Sequence, residues 1–494
     1  MIKTALISFL TASINTRLLA AYLKANGYQT ICIFCPGEVN RANTDALLEL
    51  LKTQSIGLIG ISFVTDDYRS AVFLTRGIKE RLDIPIIWGG AHANVKPEEC
   101  LQHADMICLG EGEEALLDLV KSYSCGEPDL STKNLWFRTN NGVIRNELRP
   151  LEENLDKHPF PDFDLTTQFV MSERGLEPFE ERHLRSEYSI MTSRGCPYNC
   201  YYCYNSYRRK QFEGKGRYLR KRSVESIINE LTMARTIFKS LRQINFWDDS
   251  MIARSTEEIQ RFGNLYAEKI RLPFFALVEP MAFDRRKIEL LKEAGLRKLQ
   301  VGIQSGSERV NKEIYNRPVS NKKAMEIAQD LNRMGIDAVY DVIFNNPYET
   351  TEDVAKTARL LLQFPKPFFV QGYNLIFYPR TAITDRALQD GFISLKDDGP
   401  DFSTIQNPIN SPTANLGYAK VSGRFYKINY HPHEKKYFNS IIALISSRYA
   451  PQRLLSYFAK SETPSKRILL EAFTRLYAFS AAVKRALWGP RLQN

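Results

Sequence analysis

Short β-branched runs alternate with amphipathic stretches twice along this 494-residue chain, and that alternation dictates parallel sheets covered by helices. The first series places strands at Thr4–Leu10, Gln29–Phe34, Gly57–Phe63, Ile84–Trp88 and Met106–Leu109, with helical patterns at Thr16–Ala25, Thr44–Lys52, Tyr68–Arg81 and Glu113–Tyr123. Five such units predict a doubly wound, Rossmann-like domain over residues 1–125, with its ligand at the carboxyl ends of the strands. The second series, over residues 188–390, places strands at Tyr188–Thr192, Arg242–Trp247, Pro273–Val278, Lys298–Gly302, Ala338–Phe344 and Phe368–Phe377. Six units predict a partial (β/α)6 barrel of TIM type, whose chemistry gathers at the same ends of its strands. The fold class is α/β. Residues 126–187, rich in Pro, Asp, Asn and Glu, read as a linker with one hairpin around Asn140-Asn141-Gly142.

At the end of the first strand of the second series stand Cys196, Cys200 and Cys203. Three thiolates can hold three irons of a 4Fe-4S cluster and leave the fourth open to a small ligand. Zinc fits less well, because structural zinc sites take four ligands, commonly as two separated pairs, and no fourth Cys or His lies nearby. Eight cysteines spread over the chain, with no secretory leader in front, argue against a disulfide framework. Cys32, Cys35, Cys100, Cys108 and Cys125 lack cluster spacing, and the Cys32-x-x-Cys35 pair, among apolar neighbours, reads as buried thiols.

Other strand ends carry residues suited to ligands. Asp248 and Asp249 follow the second strand of the later series and could accept hydrogen bonds from a cationic amine, or serve as ordinary helix caps. Gln304 and Ser305, in Gly302-Ile-Gln304-Ser305-Gly306, can donate and accept. In the first series, Ser62 and Val64 end one strand, and Gly89 and Gly90 end the next, where small residues allow close approach to the backbone.

The loop Cys196-Pro-Tyr-Asn-Cys200-Tyr-Tyr202-Cys203 resembles the CxxxCxΦC signature of the radical S-adenosylmethionine (SAM) enzymes, with Tyr202 at its aromatic position. The resemblance implies that SAM's methionine part chelates the open iron, that SAM is cleaved to a 5′-deoxyadenosyl radical, and that Tyr202 lies against the adenine. It further implies that Asp248 and Asp249 contact the methionine amine, and Gln304 and Ser305 the ribose and carboxylate. Residues from Ile56 through Gly110-Glu111-Gly112-Glu113 resemble the cobalamin-binding domain that precedes many radical SAM cores, with Ser62, Val64, Gly89 and Gly90 at the cofactor. The family resembled is therefore the cobalamin-binding radical SAM group, class B methyltransferase-like, and it covers about residues 1–390.

The resemblance has departures. The loop Thr11-Ala-Ser-Ile-Asn-Thr16 lacks the histidine that ligates cobalt in the Asp-x-His-x-x-Gly motif, so cobalamin is expected with its lower face unligated by that route. His92 is expected on a loop facing the neighbouring domain. In Asn345-Asn346-Pro347-Tyr348-Glu349-Thr350 and Tyr378-Pro379-Arg380-Thr381, the family's glycines are replaced, so those turns are expected to differ in shape.

Residues 391–494 form a basic, mainly helical region. From Glu434 onward it carries eleven Lys plus Arg against three Glu, eight of the chain's net +11. Leu469, Phe473, Leu476, Val483 and Leu487 recur at helical steps, opposite Lys466, Arg467, Lys484 and Arg485, near Trp488. Such a face either docks on the barrel or lies on an anionic membrane surface from the cytoplasmic side. No apolar run is long enough to span a bilayer, and reduced thiols fit the cytoplasm.

The expected function is SAM cleavage, hydrogen abstraction from an unactivated carbon and methyl transfer through cobalamin. The alternatives are a radical cyclase, rearrangement or carbon-carbon coupling enzyme with a vestigial cobalamin domain, and a non-catalytic iron-sulfur sensor. Expected partners are a small-molecule or lipid substrate and an electron donor such as flavodoxin or ferredoxin; no nucleic-acid motif is present.

Overall fold

The computed structural model describes residues 2–37, 39–172, 175–395, 426–428, 436–445 and 451–474. They pack as two compact units. One holds Met1–Cys196, Arg208–Asp248 and Asn264–Pro273; the other holds Pro197–Tyr207, Asp249–Gly263 and the residues from Phe274 onward. The first unit thus takes in the Rossmann-like region, the connector and the first two strands of the second series.

In the first unit, β1 (Thr4–Ser8), β2 (Thr30–Phe34), β3 (Leu58–Ser62), β4 (Ile86–Gly89) and β5 (Met106–Cys108) run parallel. Between and after them come α1 (Ile14–Ala25), α2 (Arg41–Thr53), α3 (Tyr68–Lys79), α4 (Ala91–Val95), α5 (Pro97–Cys100) and α6 (Glu113–Ser124). Every residue of β1 and β2 is buried, as befits a sheet covered on both faces. Local signals start the helices: the Ser13 hydroxyl accepts from the Thr16 N–H, and Asn40 and Asn43 form a reciprocal capping box. Tyr68, Ala71, Leu74, Thr75 and Ile78 are the buried stripe of α3.

The residues read as a linker do more than connect. Their strands β6 (Leu135–Thr139) and β7 (Gly142–Arg145) form the expected hairpin and pair antiparallel onto β5. A second hairpin, β8 (Gln168–Ser172) and β9 (Gly175–Pro178), pairs onto β2 at the other edge. The result is a nine-stranded sheet in the order β7-β6-β5-β4-β3-β1-β2-β8-β9. Its parallel centre has the flavodoxin-like order, with the switch point between β1 and β3.

The second series begins with β10 (Glu187–Ile190), then a two-stranded ribbon of β11 (Ser193–Arg194) and β12 (Arg220–Lys221), with α7 (Tyr204–Gln211) between them. It continues through α8 (Val224–Ile237), β13 (Gln243–Phe246), α9 (Thr256–Lys269), β14 (Phe274–Val278), α10 (Arg285–Ala294), β15 (Leu296–Gln304) and α11 (Asn321–Met334). It closes with β16 (Asp337–Phe344), α12 (Thr351–Gln363), β17 (Phe368–Asn374) and α13 (Ala382–Gln389). The six-stranded sheet keeps chain order, β10-β13-β14-β15-β16-β17, as the expected partial barrel requires.

Of the basic tail, α14 (Lys436–Ile445) and α15 (Gln452–Ala459) dock on α12. Arg359 of α12 donates to the Ala459 carbonyl at 3.1 Å, and the Tyr437 hydroxyl donates to that of Phe458 at 3.0 Å. The predicted polarity of the following helix is corrected where it is described. Lys466 is buried, its ammonium donating to the Tyr457 and Ser461 carbonyls, whereas Leu469 is 56% exposed. The ammonium also lies over the Tyr457 ring at 4.2 Å, so the buried charge meets carbonyl oxygens and an aromatic face. Leu476, Val483, Lys484, Arg485, Leu487 and Trp488 lie outside the described residues.

Candidate active site

At the carboxyl ends of the first sheet, β3 and β4 pair with Ser62 opposite Gly89, which brings together the residues expected at cobalamin. Ser62 and Gly89 are half-buried. Val64 is 40% exposed, as is Leu10 after β1 at 55%, so apolar side chains stand uncovered at adjacent strand ends. A cavity of about 400 Å³ opens at the end of β1, lined by Phe9, Leu10, Thr11 and Ala12 together with Pro36 and Tyr188. Its lining mixes these with Arg17, Arg185 and Glu187, and it lies on the β2 side of β1, apart from the β3 and β4 ends. Gly90 has a different reason to be glycine. It adopts φ +93°, and a Cβ there would stand 2.4 Å from the Phe63 carbonyl oxygen, so the neighbouring strand end demands it.

His92 departs from expectation. It is fully buried, with Nδ1 3.2 Å from the Thr65 hydroxyl and its ring packed against Tyr68 at 4.7 Å. Burial, aided by Lys96, pushes it down to about 3. It is a neutral core residue, not a loop histidine on a domain surface. Burial likewise lifts Cys32 and Cys35 to about 12, so this pair stays protonated.

Gly110-Glu111-Gly112-Glu113, between β5 and α6, faces the ribbon that leads into the cysteine loop, inside the same unit. Arg194 pairs with Glu111 at 3.2 Å and with Glu113; Arg220 pairs with Glu111 at 2.7 Å and donates to the Glu152 carbonyl at 2.9 Å. Burial pushes Glu111 up, but the Arg220 hydrogen bonds and the charges of Arg194 and Arg220 outweigh it and hold the carboxyl near 2.

Asp248 and Asp249, adjacent in sequence, take different roles. Asp248 is buried, and its Oδ1 accepts from the Thr192 N–H at 2.8 Å, the Thr192 hydroxyl at 3.0 Å and the Ser193 hydroxyl at 2.5 Å. It anchors the entry to the cysteine loop. Past it, Gly195 has φ +89° and would place a Cβ 2.3 Å from the Tyr218 carbonyl oxygen, while the Arg209 guanidinium donates to the Cys196 carbonyl.

In the second unit, the Cys203 N–H donates to the Cys200 carbonyl at 3.0 Å, forming a tight turn around Tyr202. The Tyr202 ring meets Tyr315 edge-on at 5.0 Å. Half-buried Asp249 accepts from the Asn205 amide at 2.9 Å and acts electrostatically on Cys203. Burial raises Cys200 to about 11 and Cys203 to about 12, opposed at Cys200 by the charge of Arg317 and at Cys203 by the Asn205 N–H. Coordination to iron would deprotonate such thiols outright. All three loop cysteines are free of disulfides. Among the described residues no three His, Cys, Asp or Glu side chains converge on one ion, whereas the thiolates of a cubane each bind a different iron.

Arg317 and Glu279 were not singled out from sequence. Arg317 is fully buried beside Cys200 and Tyr202 and ion-paired to Glu279 after β14. Its Nε and Nη1 find no acceptor among the described residues, which fits a buried cation facing an anionic ligand. Glu279 ends a strand, and that position could have flagged it; Arg317 follows an irregular turn and gives no periodic signal.

Three non-glycine residues after successive strands adopt left-handed backbone: Gln304 at φ 64°, Asn345 at 59° and Arg380 at 68°. The turns in which Asn345 and Arg380 replace a family glycine therefore keep a glycine-like conformation, contrary to expectation. Such strain, about 1 kcal/mol or more per residue, is characteristic of ligand sites. Gln304 is nearly buried over Gly302, where a Cβ would meet its amide at 2.7 Å. The Ser305 hydroxyl is turned inward and donates to Glu349 at 2.9 Å, so it ties the loop to the next turn. The Arg380 guanidinium lies over the Tyr207 ring at 5.8 Å.

Comparison with known proteins agrees with this architecture. Residues 4–120 match the B12 binding domain and residues 190–361 the Radical SAM superfamily. An uncharacterised methyltransferase of Pyrococcus horikoshii, PH0819, is 27% identical over 70% of this chain and 72% of its own length. The structure of TsrM, a radical S-adenosylmethionine methyltransferase from Kitasatospora setae with cobalamin and a [4Fe-4S] cluster bound, shares the fold. Its TM-score is 0.67 at 16% identity, covering 98% of this chain and all of that one. The cobalamin-dependent S-adenosylmethionine radical enzyme OxsB gives a TM-score of 0.69 at 15% identity, covering 97% of this chain and 71% of its own. With both models matched in this order, the chain carries a B12 binding domain ahead of a radical SAM domain.

Proposed function

We propose that the protein is a cobalamin-dependent radical SAM methyltransferase acting on a small molecule. The observation that carries this reading is the three-cysteine loop at the head of a six-stranded β/α array, preceded by a flavodoxin-like sheet whose β3 and β4 ends bring Ser62 and Gly89 together. When bound, a 4Fe-4S cluster with SAM on its open iron supplies a 5′-deoxyadenosyl radical, and cobalamin supplies the methyl group.

The chain's own residues hold and orient these groups. Cys196, Cys200 and Cys203 are the iron ligands, and Asp248 fixes the segment that leads to them. Asp249, steadied by Asn205, suits the methionine amine; Arg317 suits a carboxylate; Gln304 suits ribose hydroxyls. Tyr202, braced by Tyr315, lines the adenine. Ser62, Val64, Gly89 and Gly90 would hold cobalamin, to which the Thr11–Thr16 loop offers no histidine.

The electron comes from a reduced flavodoxin or ferredoxin. Ile468 and Leu469, 69% and 56% exposed beside Arg467, support peripheral contact with an anionic membrane. Among the described residues no helix is long and apolar enough to cross one.

The test is anaerobic reconstitution with iron, sulfide and cobalamin, followed by dithionite and methyl-labelled SAM with small-molecule cell extract. The expected products are 5′-deoxyadenosine, S-adenosylhomocysteine and a labelled small molecule. 5′-Deoxyadenosine alone would replace methyl transfer with another radical outcome, and no SAM cleavage from cluster-loaded protein would refute an enzyme of this class.

A further inference from the structure

The inner face of β15–β17 carries a polar cluster that neither the cluster loop nor the SAM segments use. Tyr340 and Phe368 pack on Phe364 at the end of α12, at 4.8 and 6.1 Å respectively, which fixes the helix-covered face. The alternating positions Asp341, Phe369, Gln371 and Tyr373 therefore project to the opposite face. In register, Asp341 stands opposite Gln371 on one side and Gly302 on the other, and the β15 side chain that reaches it is Gln300, two residues before that glycine.

Asp341 is 9% exposed. Both its oxygens accept from a single neutral donor, the Gln300 amide nitrogen, at 3.0 and 2.8 Å; that nitrogen lies 3.3 Å from the Tyr373 hydroxyl. Among the described residues no Lys, Arg or His pairs with Asp341, and Arg317 is committed to Glu279. A carboxyl in mid-strand, nearly buried and without a cation, costs stability, and such groups gather where a ligand supplies what is missing. Burial foremost, with the charge of Glu279, lifts it to about 7. Beside it on the same face, Phe369 is 58% and Tyr373 39% exposed, an unusual uncovering of aromatic surface.

We infer that this face is the substrate-anchoring subsite, in which Asp341, held by Gln300, takes a protonated amine of a small molecule whose apolar or aromatic body lies against Tyr373 and Phe369. The inference rests on the proposed function and narrows its substrate to cationic amines. The charged groups that act on Asp341 are Glu279 after β14, which opposes its ionisation, and Arg317 on the loop before α11, which favours it. Tyr373 of β17 is the remaining titratable neighbour.

The test is anaerobic equilibrium dialysis of the full-length, cluster-reconstituted protein with three matched probes: phenethylamine, phenethyl alcohol and phenylacetate. Phenethylamine should bind about tenfold or more tightly than phenylacetate at pH 8. Its affinity should rise between pH 6 and pH 8 as Asp341 loses its proton, and Asp341→Asn should abolish both the preference and the pH dependence. Equal or tighter binding of phenylacetate, or unchanged binding by Asp341→Asn, overturns the inference. If that variant does not fold, a flat pH profile of the wild-type protein overturns it alone. SAM cleavage by the same wild-type sample is scored separately, so loss of cleavage with retained amine binding counts against the proposed function only.

Discussion

Asp248 shows how one side chain can determine whether a metal loop exists. Three donors from Thr192 and Ser193 converge on its Oδ1, and truncation would leave them buried and unsatisfied. Asp248→Ala should cost about 3 kcal/mol of stability and reduce iron retained per chain after reconstitution, measured by thermal denaturation and iron analysis. Asp248→Asn, which keeps an acceptor oxygen, should fall between. Retention of full iron by the alanine variant would show that the loop holds its shape without this anchor. The neighbouring Asp249 should behave differently: it is half-buried where Asp248 is buried, and its loss should spare stability more than Asp248's.

Among the elements, strand ends separate what local sequence carries from what it does not. The βα alternation was legible because β-branched runs and helical stripes are local patterns, and the caps at Ser13, Asn40 and Thr350 mark helix starts directly. The cysteine loop was legible from spacing alone. The β8–β9 hairpin was not: its strand Gln168–Ser172 lies in a polar connector, and its reason to be a strand is β2, far away in sequence. Arg317 was hidden in the same way, since its partner Glu279 is 38 residues upstream. Asn345 and Arg380 concealed their left-handed backbone because the sequence shows a side chain where only geometry shows φ. Gly90 joins both kinds of information, because its φ and the approach of the Phe63 carbonyl each exclude a side chain. Gly90→Ala should destabilise the protein by about 2–4 kcal/mol, read as a lower denaturant midpoint with unchanged slope. A midpoint like that of the wild-type protein would mean the β4 end rearranges freely.

On the scale of the whole first unit, the Glu111, Glu113, Arg194 and Arg220 network joins the β5 end to the ribbon before the cysteines. Removing one member of a buried charge network leaves the others uncompensated, so Glu111→Gln should cost about 2–4 kcal/mol near neutral pH. The sign of its pH dependence follows from the depressed carboxyl. Its stabilisation is fully present above the ordinary glutamate value of about 4.3 and is lost as pH falls through about 2. The difference between wild-type and Glu111→Gln should therefore shrink across that acid range in denaturation curves taken at successive pH values; a constant difference would assign the loss to packing.

The two hairpins at the margins of the nine-stranded sheet bear on how the protein can be cut. Trimming at residue 125 would strip β6 from β5 and β8 from β2, baring hydrogen-bonding rows ready to recruit a second molecule. Ending after β9 instead leaves short outer strands, one carrying Arg145 and the other Pro178, whose ring offers no amide to a stranger. On gel filtration the shorter fragment should self-associate, while the longer one should elute nearer its monomer volume.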